Sequence, residues 1–198
     1  MPGYGYRVDK GDRIRIQAMF HNPTDAAYPE AYLEVRVEYR ARGAEGTPLK
    51  NVYPTWFDVM ECRDSAYELE PGKSVTSGEI TLHYSGMLLG VGGHLHDYGE
   101  GLVLEDITRK QGIAELHAKL DANGRIVSMP TTTFLDRGGY HLNQGERIRV
   151  TATYDSRASQ PLPEGAMGIV VGYFVPDDDA QMAALRRPER RTARAADK

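Results

Sequence analysis

Hydrophobic and polar positions alternate through much of this chain. In Arg13–His21 the even positions Ile14, Ile16, Ala18 and Phe20 are apolar and the odd ones mostly polar. Leu33–Arg40 alternates cleanly, and Glu146–Tyr154 does so again. A period of two puts one face of an extended segment on a core and the other in water, the pattern of an antiparallel sheet. Further apolar, β-rich runs cover Ile80–Tyr84, Gly101–Leu104, Glu115–Leu120, Arg125–Ser128 and Gly168–Val175.

Turn-forming residues separate these runs: Asn22-Pro23, Glu70-Pro71-Gly72-Lys73, Gly138-Gly139 and Asn143-Gln144-Gly145. Asn123-Gly124 lies between two strand-like runs and predicts a hairpin. Short strands with glycine-rich punctuation and almost no helical periodicity predict an all-β fold, an antiparallel β-sandwich of jelly-roll type. The helical pattern that does occur falls at Asp179–Arg187. The expected organisation is a single sandwich domain over residues 1–178, then a polar tail over 179–198 that is a short helix or disordered.

Composition narrows the function classes. With 198 residues, 40% of them hydrophobic, the chain can bury one sizeable core. Its net charge of -4 gives no support to phosphate neutralisation, so no nucleic-acid partner is expected. The basic cluster between Arg186 and Arg194 has no apolar periodicity and reads as tail. No apolar run approaches the roughly 18–20 residues that cross a bilayer. Met1–Tyr6 lacks a basic region followed by an apolar stretch, so no signal peptide is legible, and the chain reads as cytosolic or as a trimmed mature form. The single cysteine, Cys62, excludes an internal disulfide and reads as a small filler or a surface thiol.

Candidate chemistry centres on histidine. His117 shares its strand face with Glu115 and Lys119 and reads as solvated. His141 reads as a surface residue or a local hydrogen-bond partner. His94 and His96, in Gly92-Gly93-His94-Leu95-His96-Asp97, are separated by one residue. On a strand that spacing sends both imidazoles to one face, where they can share a metal ion. Imidazole suits zinc, copper, iron and nickel alike, so the pair does not choose the metal. The flanking glycines allow backbone to bend around a crowded site. Asp97 is a candidate acceptor that orients an imidazole, or a solvated turn carboxylate.

Methionine 167 opens the apolar run Gly168–Phe174, where core packing is its default reading. The order His94-x-His96, then Met167 some seventy residues later before a strand ending in paired aromatics, resembles the copper type II, ascorbate-dependent monooxygenases, the peptidylglycine and dopamine hydroxylases. The likeness is to their second catalytic-core domain and spans roughly residues 10 to 176. It includes Gly145–Asp155 and the segment Phe20-His21-Asn22-Pro23. The Gly-His-Leu-His-Asp block is also similar to plant stress up-regulated nodulation-type proteins. The resemblance implies a copper ion on His94, His96 and Met167, and two nitrogens with one thioether favour copper(I) over zinc. It also implies an extracellular or periplasmic location, a small-molecule or peptide substrate and an external reductant.

The resemblance is incomplete. The enzymes use two domains and two coppers, whereas this chain has no adjacent His-His pair and no length for the first domain. Where relatives carry a histidine of the electron-storing site, Met19 stands here. Met19 and His21, on one face of their predicted strand, form a candidate second soft-metal site. A one-copper domain supplies one of the two electrons a hydroxylation needs. The expected function is therefore a mononuclear copper-binding protein with a monooxygenase-type domain, activating oxygen for oxidation of a substrate. The alternatives are non-catalytic extracytoplasmic copper handling, or a structural or ligand-binding sandwich without metal. Tyr98 and Tyr154 are read either as neighbours of the substrate or as core aromatics. Gly-x-Ser-x-Gly does not occur, and the carboxylate runs Glu105-Asp106 and Asp177-Asp178-Asp179 read as solvated charge.

Overall fold

Fourteen strands carry most of the regular structure in the computed structural model. It describes residues 3–185 apart from 19, 21, 23, 42 and 61–63. In chain order the strands are β1 (Tyr4–Gly5), β2 (Lys50–Asn51), β3 (Tyr53–Asp58), β4 (Ala66–Leu69), β5 (Gly72–Thr81), β6 (Gly86–Leu95) and β7 (Gly99–Asp106). They continue with β8 (Gln111–His117), β9 (Lys119–Leu120), β10 (Ile126–Ser128), β11 (Thr131–Thr133), β12 (Tyr140–Leu142), β13 (Arg147–Ser156) and β14 (Leu162–Pro176). A short helix, α1 (Asp179–Leu185), follows. The proposed second metal pair, Met19 and His21, and Cys62 lie outside the described residues, as does the chain beyond 185.

Two antiparallel sheets face one another, as the alternation predicts. The first has the order β11-β6-β14-β3, with β12 also on β6 and β4 on the leading end of β14. The second has the order β5-β13-β7-β8. The parity of β13 shows why the chain folds this way: Ile148, Val150, Ala152, Tyr154 and Ser156 are buried while the residues between them are not. In β14 the residues Ala166, Gly168, Val170, Gly172 and Phe174 are buried, and Ile169 on the other face is covered as well. These inner faces, with Phe57, Leu88, Leu95, Leu102, Leu104, Leu116 and Phe134, form one continuous core between the sheets. Burying side chains of this size contributes about 1.5–3 kcal/mol each, which makes the inner faces the main source of stability.

The predicted hairpin at Asn123-Gly124 is present. Asp121 Oδ1 accepts the amides of Asn123 and Arg125, both at 2.8 Å, and Gly124 has a φ of 82°. β9 and β10 pair antiparallel across it.

Two expectations fail. Arg13–His21 and Leu33–Arg40 form no strand among the described residues, although they alternate as well as β13 does. Ile16, Val35, Val37 and Tyr39 are exposed, Tyr39 at 88%. The reason is that alternation makes an amphipathic ribbon but does not supply a sheet edge or an apolar layer to receive it. Here the inner face of each sheet is already covered by the other, from residues 57 to 174.

A buried ion cluster closes one end of the sandwich. Asp106, fully buried, accepts from the Arg109 backbone amide and guanidinium. The same guanidinium lies 3.2 Å from Glu146 Oε2, donates to the His141 carbonyl at 2.8 Å and stacks 4.8 Å from the Tyr140 ring centre. It ties the β7–β8 turn to β12 and to the turn before β13. Arg109→Met keeps the stem and strands the carboxylate, so it should destabilise the fold by about 3 kcal/mol or more, read as a lower urea midpoint with unchanged slope.

Candidate metal centre

His94 and His96 straddle Leu95, whose side chain is in the core. The strand parity therefore sends both imidazoles to the outer face of the first sheet, as the spacing predicts. Their ring centres are 5.5 Å apart with planes at 87°. Two imidazoles bound to one ion through nitrogens about 2.0–2.1 Å away hold their ring centres about 5–6 Å apart, so the observed pair fits a shared metal.

Register brings Met167 to the same place. On β14, Gly168 pairs with Leu95 and Ile169 with His94. The next position back along β14 is Met167, and the next position forward from Leu95 is His96. Met167 thus shares the outer face with the two histidines and lies beyond the last paired rung. Its neighbour on the other side is Ala66 of β4, a small residue. Among the described residues no group of three or more histidine, cysteine, aspartate or glutamate side chains converges as a metal site. The side chain that register brings beside the histidine pair is the thioether of Met167.

Three features fix this geometry. The His96 ring Nδ1 lies 3.0 Å from the Glu164 carbonyl oxygen. With the proton on Nδ1, that bond turns the ring and leaves Nε2 to face a metal, the usual support of a ligating histidine. Glu164 presents its carbonyl from a left-handed backbone, φ 52°, a conformation that costs a non-glycine residue free energy. Finally, the Tyr154 hydroxyl, reaching from β13 across the core, accepts the amides of His96 and Met167, each at 3.0 Å, and donates to the Met167 carbonyl at 2.5 Å. The pKa of His94 is lowered, first by partial burial and second by neighbouring His96.

Several assignments change in detail. Asp97 does not orient an imidazole; its Oδ1 accepts the Ile126 amide at 3.0 Å and so anchors the 121–126 hairpin. Gly93 serves packing rather than bending: a Cβ there would lie 2.5 Å from Met129 Cε and 2.9 Å from Leu102 Cδ1. Gly168 likewise lets β14 approach β13, since a Cβ would meet Ala152 Cβ at 2.6 Å. Tyr154 is core rather than a substrate neighbour, at 1% exposure, and Tyr98 packs against the same core with a φ of 68°. His117 is exposed beside Glu115, and His141 bonds Asp177 at 2.9 Å; both keep the local roles their positions suggest.

Sequence reasoning missed what surrounds the pair. Asp58 shares the outer face beside Ile169, but both its oxygens are engaged, by the Met60 amide and the Ser65 hydroxyl. Farther along that face, Gly92 pairs with Val171 and Val171 with Trp56, then Gly90 pairs with Tyr173. Trp56 and Tyr173 are 54% and 53% exposed, two aromatic side chains open to solvent on that face. The parity of Tyr173 against Phe174 was the one available signal, since paired aromatics on a strand cannot both face the core. Comparison of the chain with protein-family models, curated proteins and solved structures finds no match.

Burial raises the Tyr154 phenol from 10.0 to about 12. A folded-state pKa above the unfolded one leaves stability intact below pH 10 and removes it as pH climbs through about 12. The slope is about 1.4 kcal/mol per pH unit. Urea titrations from pH 9 to 12 should therefore show a steeper alkaline loss for the wild type than for Tyr154→Phe. Equal slopes would mean the phenol is not held neutral by the core.

Proposed function

We propose that this chain is a mononuclear copper-binding protein whose ion is held by His94, His96 and Met167, in a domain of the copper type II monooxygenase kind, jelly-roll connection included. The observation that carries the reading is the register: the ladder of β6 and β14 sets His94 on the outer face opposite Ile169, with His96 and Met167 on that face just past the last rung. The His96–Glu164 bond supports it by engaging Nδ1 and leaving Nε2 as the ring nitrogen for a metal. A copper ion there would supply one-electron redox chemistry and an affinity for oxygen. The chain's own residues supply two imidazole nitrogens, a soft sulfur that favours the reduced ion, and a solvent-facing position at His94. A small-molecule or peptide substrate would approach from that outer face, and an external reductant would deliver the second electron of any hydroxylation. The resemblance extends the proposal to a location outside the cytoplasm, and no helix among the described residues is long and apolar enough to cross a membrane.

Copper handling without turnover is the companion reading, favoured by the absence of an adjacent His-His pair for electron storage. A metal-free ligand-binding sandwich is the third, favoured by exposed Trp56 and Tyr173 on the same outer face, aromatic rings on which a flat ring can stack.

Loading with copper(I) and copper(II), followed by removal of excess, tests the reading. The wild type should retain about one copper per chain, His94→Ala and His96→Ala should lose it, and Met167→Ala should weaken copper(I) about tenfold more than copper(II). Reductant-dependent oxygen consumption beyond one turnover per copper then marks an oxidase or monooxygenase, and tight binding without it marks copper handling. A wild type that retains no copper overturns the metal reading and leaves the exposed aromatic pair as the functional surface.

A further inference from the structure

Beyond their last paired rung, β6 and β14 have no direct backbone bond between His96 and Met167; a side chain from the opposite sheet takes its place. The Tyr154 hydroxyl accepts both amides at 3.0 Å and donates to the Met167 carbonyl at 2.5 Å. A phenol oxygen has two lone pairs and one proton, so every hydrogen-bonding capacity of this group is spent on the backbone of the two residues proposed as ligands. The ring is fixed as well, edge-on to Tyr67 with centres 6.5 Å apart. Removing the hydroxyl leaves two part-buried amides and a carbonyl without these bonds, so the strand ends must shift to pair them again.

We propose that Tyr154 is the positioning residue of the metal centre, holding the His96 and Met167 backbones at a fixed separation so that an imidazole and a thioether meet the same ion. This rests on the copper reading above and deepens it: the hydroxyl never touches the metal, yet it decides whether the sulfur is in reach. His94 lies on the paired side of the junction, opposite Ile169, and His96 keeps its bond to the Glu164 carbonyl. Loss of the hydroxyl therefore acts first on the thioether. Copper(II), content with the two imidazoles, is little affected, while copper(I), which gains most from sulfur, is weakened.

The test is Tyr154→Phe in the full chain, read in two ways. In metal-free protein, amide exchange at His96 and Met167 should quicken at least about tenfold, with Leu95 and Gly168 unchanged. In copper-loaded protein, copper(I) affinity should fall about tenfold relative to copper(II), equivalent to a potential lowered by about 59 mV. Val150→Ala, which loosens the same strand without touching the hydroxyl, should leave that ratio at the wild-type value. Should Tyr154→Phe fail to fold, 3-fluorotyrosine at 154 keeps the ring and weakens the oxygen as an acceptor, giving smaller shifts in the same directions. A ratio unchanged by Tyr154→Phe in a wild type that does bind copper overturns the positioning role alone. An equal loss in Val150→Ala does the same. A wild type without copper overturns the metal reading, and the positioning role falls with it.

Discussion

One phenolic oxygen joins the two sheets where the chemistry is expected. Tyr154 stands on the second sheet, and its hydroxyl replaces the missing rung between two strands of the first. It is at once a core side chain, a cap for three backbone groups and the link between His96 and Met167. Leaving those groups unpaired would cost about 1–3 kcal/mol each in a buried setting, which is why the strand ends stay together although they no longer pair directly. The close approach that puts the phenol in range depends on Gly168, where any Cβ would collide with Ala152 on the neighbouring sheet. Packing, backbone satisfaction and the placement of His96 beside Met167 are thus one constraint in this molecule.

From that junction outward the sheet divides its labour by parity. Inner positions such as Leu95, Val170 and Phe174 build the core. Outer positions on the same strands carry His94, Met167 and Tyr173. Moving either strand by one residue would bury the imidazoles and expose the leucine, so the register that stabilises the sandwich is also what assembles the candidate centre. The strained backbone at Glu164 belongs to the same arrangement, since its carbonyl is the one that orients His96. The ion cluster of Asp106, Arg109 and Glu146 secures another part of the sandwich and takes no part in this geometry.

Much of this was legible in the sequence. The alternation of Glu146–Tyr154 and the apolar run Gly168–Val175 are realised as β13 and β14, the Asn123-Gly124 hairpin forms, and the single intervening residue sets His94 and His96 on one face. These are local properties, decided by periodicity and turn chemistry. What the sequence did not disclose was non-local. Arg13–His21 and Leu33–Arg40 alternate equally well, but whether a ribbon becomes a strand depends on an available edge and an uncovered core, and neither is written in the ribbon itself. Asp97 was the natural acceptor for an imidazole by proximity along the chain, yet a carbonyl from residue 164 takes that part because β14 lies beside β6. The parity of Tyr154 marked it as core; its three bonds to His96 and Met167 needed the cross-sheet packing to be seen.

The central claim is that the thioether of Met167 on β14, the imidazole of His94 on β6 and that of His96 just past it meet one copper ion. X-ray absorption on the copper(I)-loaded chain addresses it most directly, because sulfur and nitrogen scatter distinguishably. The account predicts one sulfur alongside two imidazoles, with the sulfur signal lost in Met167→Leu and the imidazoles retained. A shell of nitrogen and oxygen alone, or a sulfur that survives Met167→Leu, would contradict it.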